Sequence, residues 1–114
     1  MIAFRFYVPQ SFLDYSHPIT IPKRYQEGLR KTKLDQRKYI IVYPRGETLT
    51  ASMTHGRPGR YEYYQLATPK SYQKLPDYLK INDELFVLLV RFDEVNYAIL
   101  EYIHKPKDRL RKLL

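Results

Sequence analysis

Residues 84–103, ELFVLLVRFDEVNYAILEYI, limit the possible folds more than any other part of the chain. "ELFVLLVRF" is a near-continuous apolar run of strand length, "DEVN" supplies a turn and "YAILEYI" returns, so two paired strands are predicted at the centre of the core. Near the start, "IAFRFYV" sets Ile2, Phe4, Phe6 and Val8 against Ala3, Arg5 and Tyr7, the period-two pattern of a half-buried strand, and Pro9 closes it. "KYIIVY" and "ETLTASM" are two further β-rich runs joined by "PRG", a hairpin-type connection. "THGRPGR" reads as an exposed loop because it packs two glycines and a proline into seven residues. In the following strand, "YEYYQLA", alternation puts Tyr61 and Tyr63 on one face and Glu62 and Tyr64 on the other.

Helical signals are few. "HPITIPKRYQEGL" predicts an extended piece around Ile19–Ile21, then a helical turn with Pro22 at its first position and Gly28 as its C-terminal cap. "TPKSYQKLPDYL" predicts a short helix capped by Thr68, opened by Pro69 and interrupted at Pro76. "KPKDRLRKLL" reads as a terminal helix with Leu110, Leu113 and Leu114 on one side, or as the frayed start of something longer. With no repeat, low-complexity segment or linker, residues 1–104 are expected to form one β-rich domain with two short helices, followed by a basic tail, 105–114. Six or seven short strands in about 100 residues point to a barrel or pseudobarrel.

The charge is unevenly spread. The chain of 114 residues has a net charge of +8, which favours a polyanionic partner; nucleic acid is the commonest, and a membrane surface is the rival. Residues 23–38, KRYQEGLRKTKLDQRK, carry a net +5, residues 39–74 a net +3 and residues 105–114 a net +4, whereas residues 75–104 carry a net −4. Charge tuned only for solubility would mix the signs, so this grouping predicts a molecule polarised in space. No apolar run approaches the roughly 18 to 20 residues that span a bilayer, and Arg5 lies inside the first apolar pattern instead of ahead of it. A soluble, cytoplasmic chain is expected. The absence of cysteine excludes disulfides, thiolate metal sites and a thiol nucleophile.

Catalytic constellations are thin. His17, His55 and His104 show no HxH, HxxxH or HExxH spacing that would set two imidazoles on one metal. Asp77, Asp83 and Glu84 offer carboxylates to a metal-dependent nuclease, but the strand after them lacks the lysine such a site needs. Ser11, Ser16, Ser52 and Ser71 have no nucleophile-elbow context and the glycines form no phosphate loop. No enzyme activity, cofactor or metal is expected. Twelve tyrosines without a tryptophan fit rings at core edges with wet hydroxyls. In "GRPGRYEYYQ", tyrosines interleave with Arg57 and Arg60, as a nucleic-acid surface requires: cations neutralise phosphates while Arg and polar tips reach base edges.

Three stretches resemble the DNA-binding pseudobarrel family that includes plant B-three transcription-factor domains and the effector domains of some type II restriction endonucleases. "ITIPKRYQEGL" looks like the opening strand, IPK and short helix; "LPDYLKINDELFVLL" resembles the short helix, Gly-Asp turn and core strand; "GRPGRYEYYQL" is similar to the basic strand between them. The resemblance spans roughly residues 17–92 and implies an open seven-stranded pseudobarrel with two short helices that grips the DNA major groove with two arms. By position these are Lys23, Arg24, Arg30, Lys31 and Lys33 in one arm, and Arg57, Arg60, Tyr61 and Tyr63 in the other. The chain departs from the family in having Asn82-Asp83 for Gly-Asp, although Asn tolerates the left-handed backbone, and in a compressed distance between arms. Swapped-hairpin transcription regulators also use "ITIPK".

The expected function is therefore sequence-specific binding of double-stranded DNA, as a regulator or as the recognition part of a restriction system. Rival expectations are an RNA or single-strand binder that stacks bases on tyrosines, and a small viral or plasmid interaction module whose basic face meets an acidic protein.

Overall fold

The computed structural model describes residues 1–56, 62–69 and 75–103. The long apolar run forms β6 (Glu84–Phe92) and its return forms β7 (Val95–Tyr102), paired from Leu85↔Tyr102 to Phe92↔Val95. The turn is tighter than "DEVN" implies. It consists of Asp93 and Glu94 alone, both with positive φ (53° and 64°), so Val95 and Asn96 already belong to the strand.

Five more strands complete the sheet: β1 (Ile2–Tyr7), β2 (Ile19–Thr20), β3 (Lys38–Val42), β4 (Thr48–Gly56) and β5 (Tyr63–Ala67). Their order is β1-β6-β7-β3-β4-β5-β2, all neighbours antiparallel except β3 and β7. The sheet curls into a nearly closed, seven-stranded barrel with two short helices, α1 (Gln10–Asp14) and α2 (Gln26–Lys31). The two strands that end the order, β1 and β2, are consecutive in sequence and joined through α1. Curling depends on β4, whose first half pairs with β3 and whose second half, Ser52–Gly56, pairs with β5. Thr54, His55 and Gly56 were expected in a loop, but pairing with β5 outweighs their turn propensity.

Between β3 and β4 the expected hairpin is present: Tyr43 N donates to Glu47 O (2.8 Å), Gly46 N donates to Tyr43 O (2.8 Å), and Gly46 takes a φ of +94°. At α2 the expectation fails in detail. Pro22 precedes a single 3-10 turn, Lys23–Tyr25, and Gly28 lies inside the following helix instead of capping it. The left-handed residue that ends α2 is Lys33 (φ 60°), with Leu34 N reaching back to Leu29 O (3.0 Å) and both leucines buried, so apolar contact fixes the exit where glycine was expected. α1 was not anticipated; it has no side-chain cap and is held by Phe12, fully buried against Phe6 and His17. Thr68, the expected cap of the second predicted helix, donates from its hydroxyl to Ser16 O (2.9 Å). The rest of that predicted helix, 70–74, and the predicted terminal helix lie outside the described residues.

The barrel interior is filled from every strand, by Ile2 and Phe4 from β1, Ile19 from β2, Ile41 from β3, Met53 from β4, Leu66 from β5, Leu85 and Leu89 from β6, and Leu100 from β7. Each such side chain contributes about 1.5 to 3 kcal/mol on burial. Asn82 holds the left-handed conformation (φ 67°) expected of it, and its N–H donates to Val8 O (2.8 Å) while Val8 N donates to Asp83 O (2.9 Å), which fastens the end of β1.

Candidate nucleic-acid interface

Register places several strand ends together at one end of the barrel. β2 leads there into Lys23, β3 starts there at Lys38, β4 ends at Gly56 and β5 begins at Tyr63. Residues 23–38 cross this end and are fastened to it at intervals. Tyr25 stacks on Phe4 (6.0 Å between centroids), Gln26 Nε2 donates to Glu62 O (3.1 Å), Asn96 Nδ2 donates to Lys33 O (2.9 Å) and Met53 N donates to Arg37 O (2.8 Å). The basic stretch therefore covers one end of the barrel as a fixed surface.

Its cations are not equivalent. Lys23 and Arg24 are exposed on the 3-10 turn, and the Arg24 guanidinium lies 4.8 Å from the Tyr25 ring centroid. Lys33, Arg37 and Lys38 are exposed too, and among the described residues none of these five has a carboxylate partner. Lys31 pairs with Glu27 (2.9 Å), an exposed contact one helical turn apart. Arg30 is committed: it donates to Glu62 Oε1 (3.0 Å), the atom that also meets His55 Nε2 (2.8 Å). A hydrogen bond with Tyr64, with smaller help from the charges of Glu62 and Glu27, raises the Arg30 pKa further, so it stays charged. His55 in turn stacks on the buried Tyr64 ring (4.3 Å, 7°). Arg30 thus ties the helix of the first predicted arm to the strand of the second.

Of that second arm, Arg57, Arg60 and Tyr61 lie outside the described residues. Tyr63 is 38% exposed on the outer face of β5 with its ring over Gly56, and Tyr64 faces the core, as alternation predicts. The strand ends flanking 57–61 stand beside the chain that enters Lys23, because Ile21 N donates to Tyr64 O (2.9 Å).

Sequence reasoning passed over three cations. Arg37, Lys38 and Arg91 line an open groove of about 640 Å³ together with Tyr39, Ile40 and Val95. Arg91 is oriented by Gln36 Oε1 (3.1 Å) and Asn96 Oδ1 (3.0 Å). Arg37 and Lys38 belonged to the basic stretch itself; the signal for Arg91 was a lone cation in an apolar run.

The carboxylates weighed for metal chemistry sit at the opposite end. Asp83 Oδ2 accepts from Lys80 N (2.8 Å) and Tyr102 OH (3.4 Å), and Glu84 Oε1 accepts from Tyr7 OH (3.3 Å) and Arg5 (3.4 Å). Burial raises the Tyr102 pKa, the nearby Asp83 adding to it, and raises that of Tyr78, which donates to Glu47 (2.9 Å), to about 12. Among the described residues no group of three or more His, Asp or Glu side chains is placed to hold a metal ion. The polarity is incomplete, since Asp93 and Glu94 turn at the basic end. No helix of the described residues is long and apolar enough to cross a membrane.

The chain matches no family model, no curated protein and no solved structure.

Proposed function

We propose that this chain binds double-stranded DNA through the basic end of its barrel, without catalysis, as a regulator or as the recognition part of a restriction system. One observation carries the reading: Lys23, Arg24, Lys33, Arg37 and Lys38 are gathered on one barrel end, exposed and without carboxylate partners among the described residues, beside the strand ends that flank Arg57 and Arg60. Such cations neutralise phosphates and set the register of the complex. Arg57, Arg60 and Tyr63 are then the groups assigned to base edges. A duplex suits this end better than a single strand, because most described tyrosines are buried or half-buried and only Tyr63 among the exposed ones stands here, too few for a stacking platform.

Replacing Lys23 and Arg24 together by Ala tests the placement. Duplex affinity is expected to fall and the slope of log affinity against log salt to flatten by about 2, whereas Arg45→Ala at the far end leaves both unchanged. Equal effects from the two ends would refute the assignment.

A further inference from the structure

The outer wall of the barrel is not uniform. On β4, Thr48, Ser52 and Thr54 point outward, the polar alternation expected of a solvated face. On β6, β7 and β3 the outward positions are mostly apolar, the charged exceptions being Glu84, Glu101 and Lys38. Register aligns Val90 with Tyr97 and Ile40 in one row, and Leu88 with Ile99 and Val42 in the next. None of these six belongs to the interior cluster or to the partly buried side chains packed against it. Phe92 (71% exposed) and Val95 (36%) extend the patch by one row towards the β6–β7 turn. On the other side Phe86 (43% exposed) lies between Arg5 and Glu101.

We infer that this face is where two copies of the chain associate, sheet against sheet. Strand and row spacings put its extent at roughly 400 to 500 Å² per copy, the size of the largest apolar patch on a typical monomer, which is often a functional one. Two copies hide about 800 to 1,000 Å², at or below the lower bound of specific interfaces, so the dimer is weak and reversible. An extended sheet face is matched in shape by a second one about 10 Å away. The charges fit a two-fold contact: the row at one end of the patch carries Glu101 and Arg5, the latter also 3.4 Å from Glu84, so each copy offers both signs to its partner; the two central rows carry no charge, and register sets Lys38 beside Val95 in the last row. This inference does not rest on nucleic-acid binding, and its test contains no nucleic acid.

Sedimentation of the whole chain from about 10 μM to about 1 mM is the test. The wild type is expected to pass from monomer to dimer across this range. Val90→Lys, with an unchanged circular dichroism spectrum, stays monomeric. Phe92→Ser, which alters only an exposed ring, weakens the dimer and guards against misfolding of the first variant. A wild type monomeric throughout, or a dimer that both variants leave intact, overturns the proposal. So does a monomer that dimerises only when residues 104–114 are removed, since the tail would then be the occupant.

Discussion

His17 makes stability depend on pH, and the size of the effect follows from its surroundings. The ring is 3% exposed, stacked on Phe12 (4.3 Å, 8°) and hydrogen-bonded through Nδ1 to Tyr43 OH (2.9 Å), whose own pKa burial pushes up. Burial lowers the His17 pKa from 6.5 to about 4. The unfolded chain therefore binds a proton that the folded chain refuses in the interval between these values, and stability falls with acidification there. It is full above the unfolded pKa, and the loss is complete below the folded one, reaching about 3 kcal/mol. From about pH 7.5 to about pH 5 the drop is about 2 kcal/mol. Urea unfolding across this range measures it, with His17→Asn as reference because Asn accepts the positive φ (49°) at this position. The variant is expected to lose the drop assigned to His17 and keep whatever the remaining groups contribute. Equal slopes for wild type and variant, or a His17 ring resonance that titrates near 6.5, would refute the reasoning.

Two further substitutions separate roles. Arg57→Ala is expected to relax sequence preference at one base pair by about 1 to 3 kcal/mol, while Lys31→Ala weakens all duplexes evenly; selection from a random-sequence pool distinguishes the two. Glu94→Gly relieves a left-handed residue in the two-residue β6–β7 turn and is expected to stabilise the fold by about 1 kcal/mol, read as a higher urea midpoint.

Strands were legible wherever burial alternates, because the side-chain period is a local property. Ile2, Phe4 and Val8 face inward as their spacing predicts, and Leu85, Val87 and Leu89 build the central strand. α1 escaped notice because five residues without a cap carry almost no periodic signal, and its anchor, Phe12, packs on Phe6 and His17, which lie outside the helix on either side. Gly28 misled because glycine marks many helix ends, whereas the true end is set by Leu29 and Leu34 packing into the core. The site was legible as a concentration of charge. That Arg30 is held by Glu62, that Asp93 and Glu94 share the basic end, and that Arg91 joins Arg37 and Lys38 are consequences of strand register between distant segments, which composition does not encode.

The central claim is tested most directly by fluorescence anisotropy of the chain against a random labelled duplex and the matching single strand at several salt concentrations. The account predicts tighter binding to the duplex, with log affinity falling linearly in log salt at a slope of several units, about 0.9 for each phosphate neutralised. Absence of binding at roughly 50 mM salt, where phosphate contacts are strongest, would contradict it and assign the basic end to a protein partner.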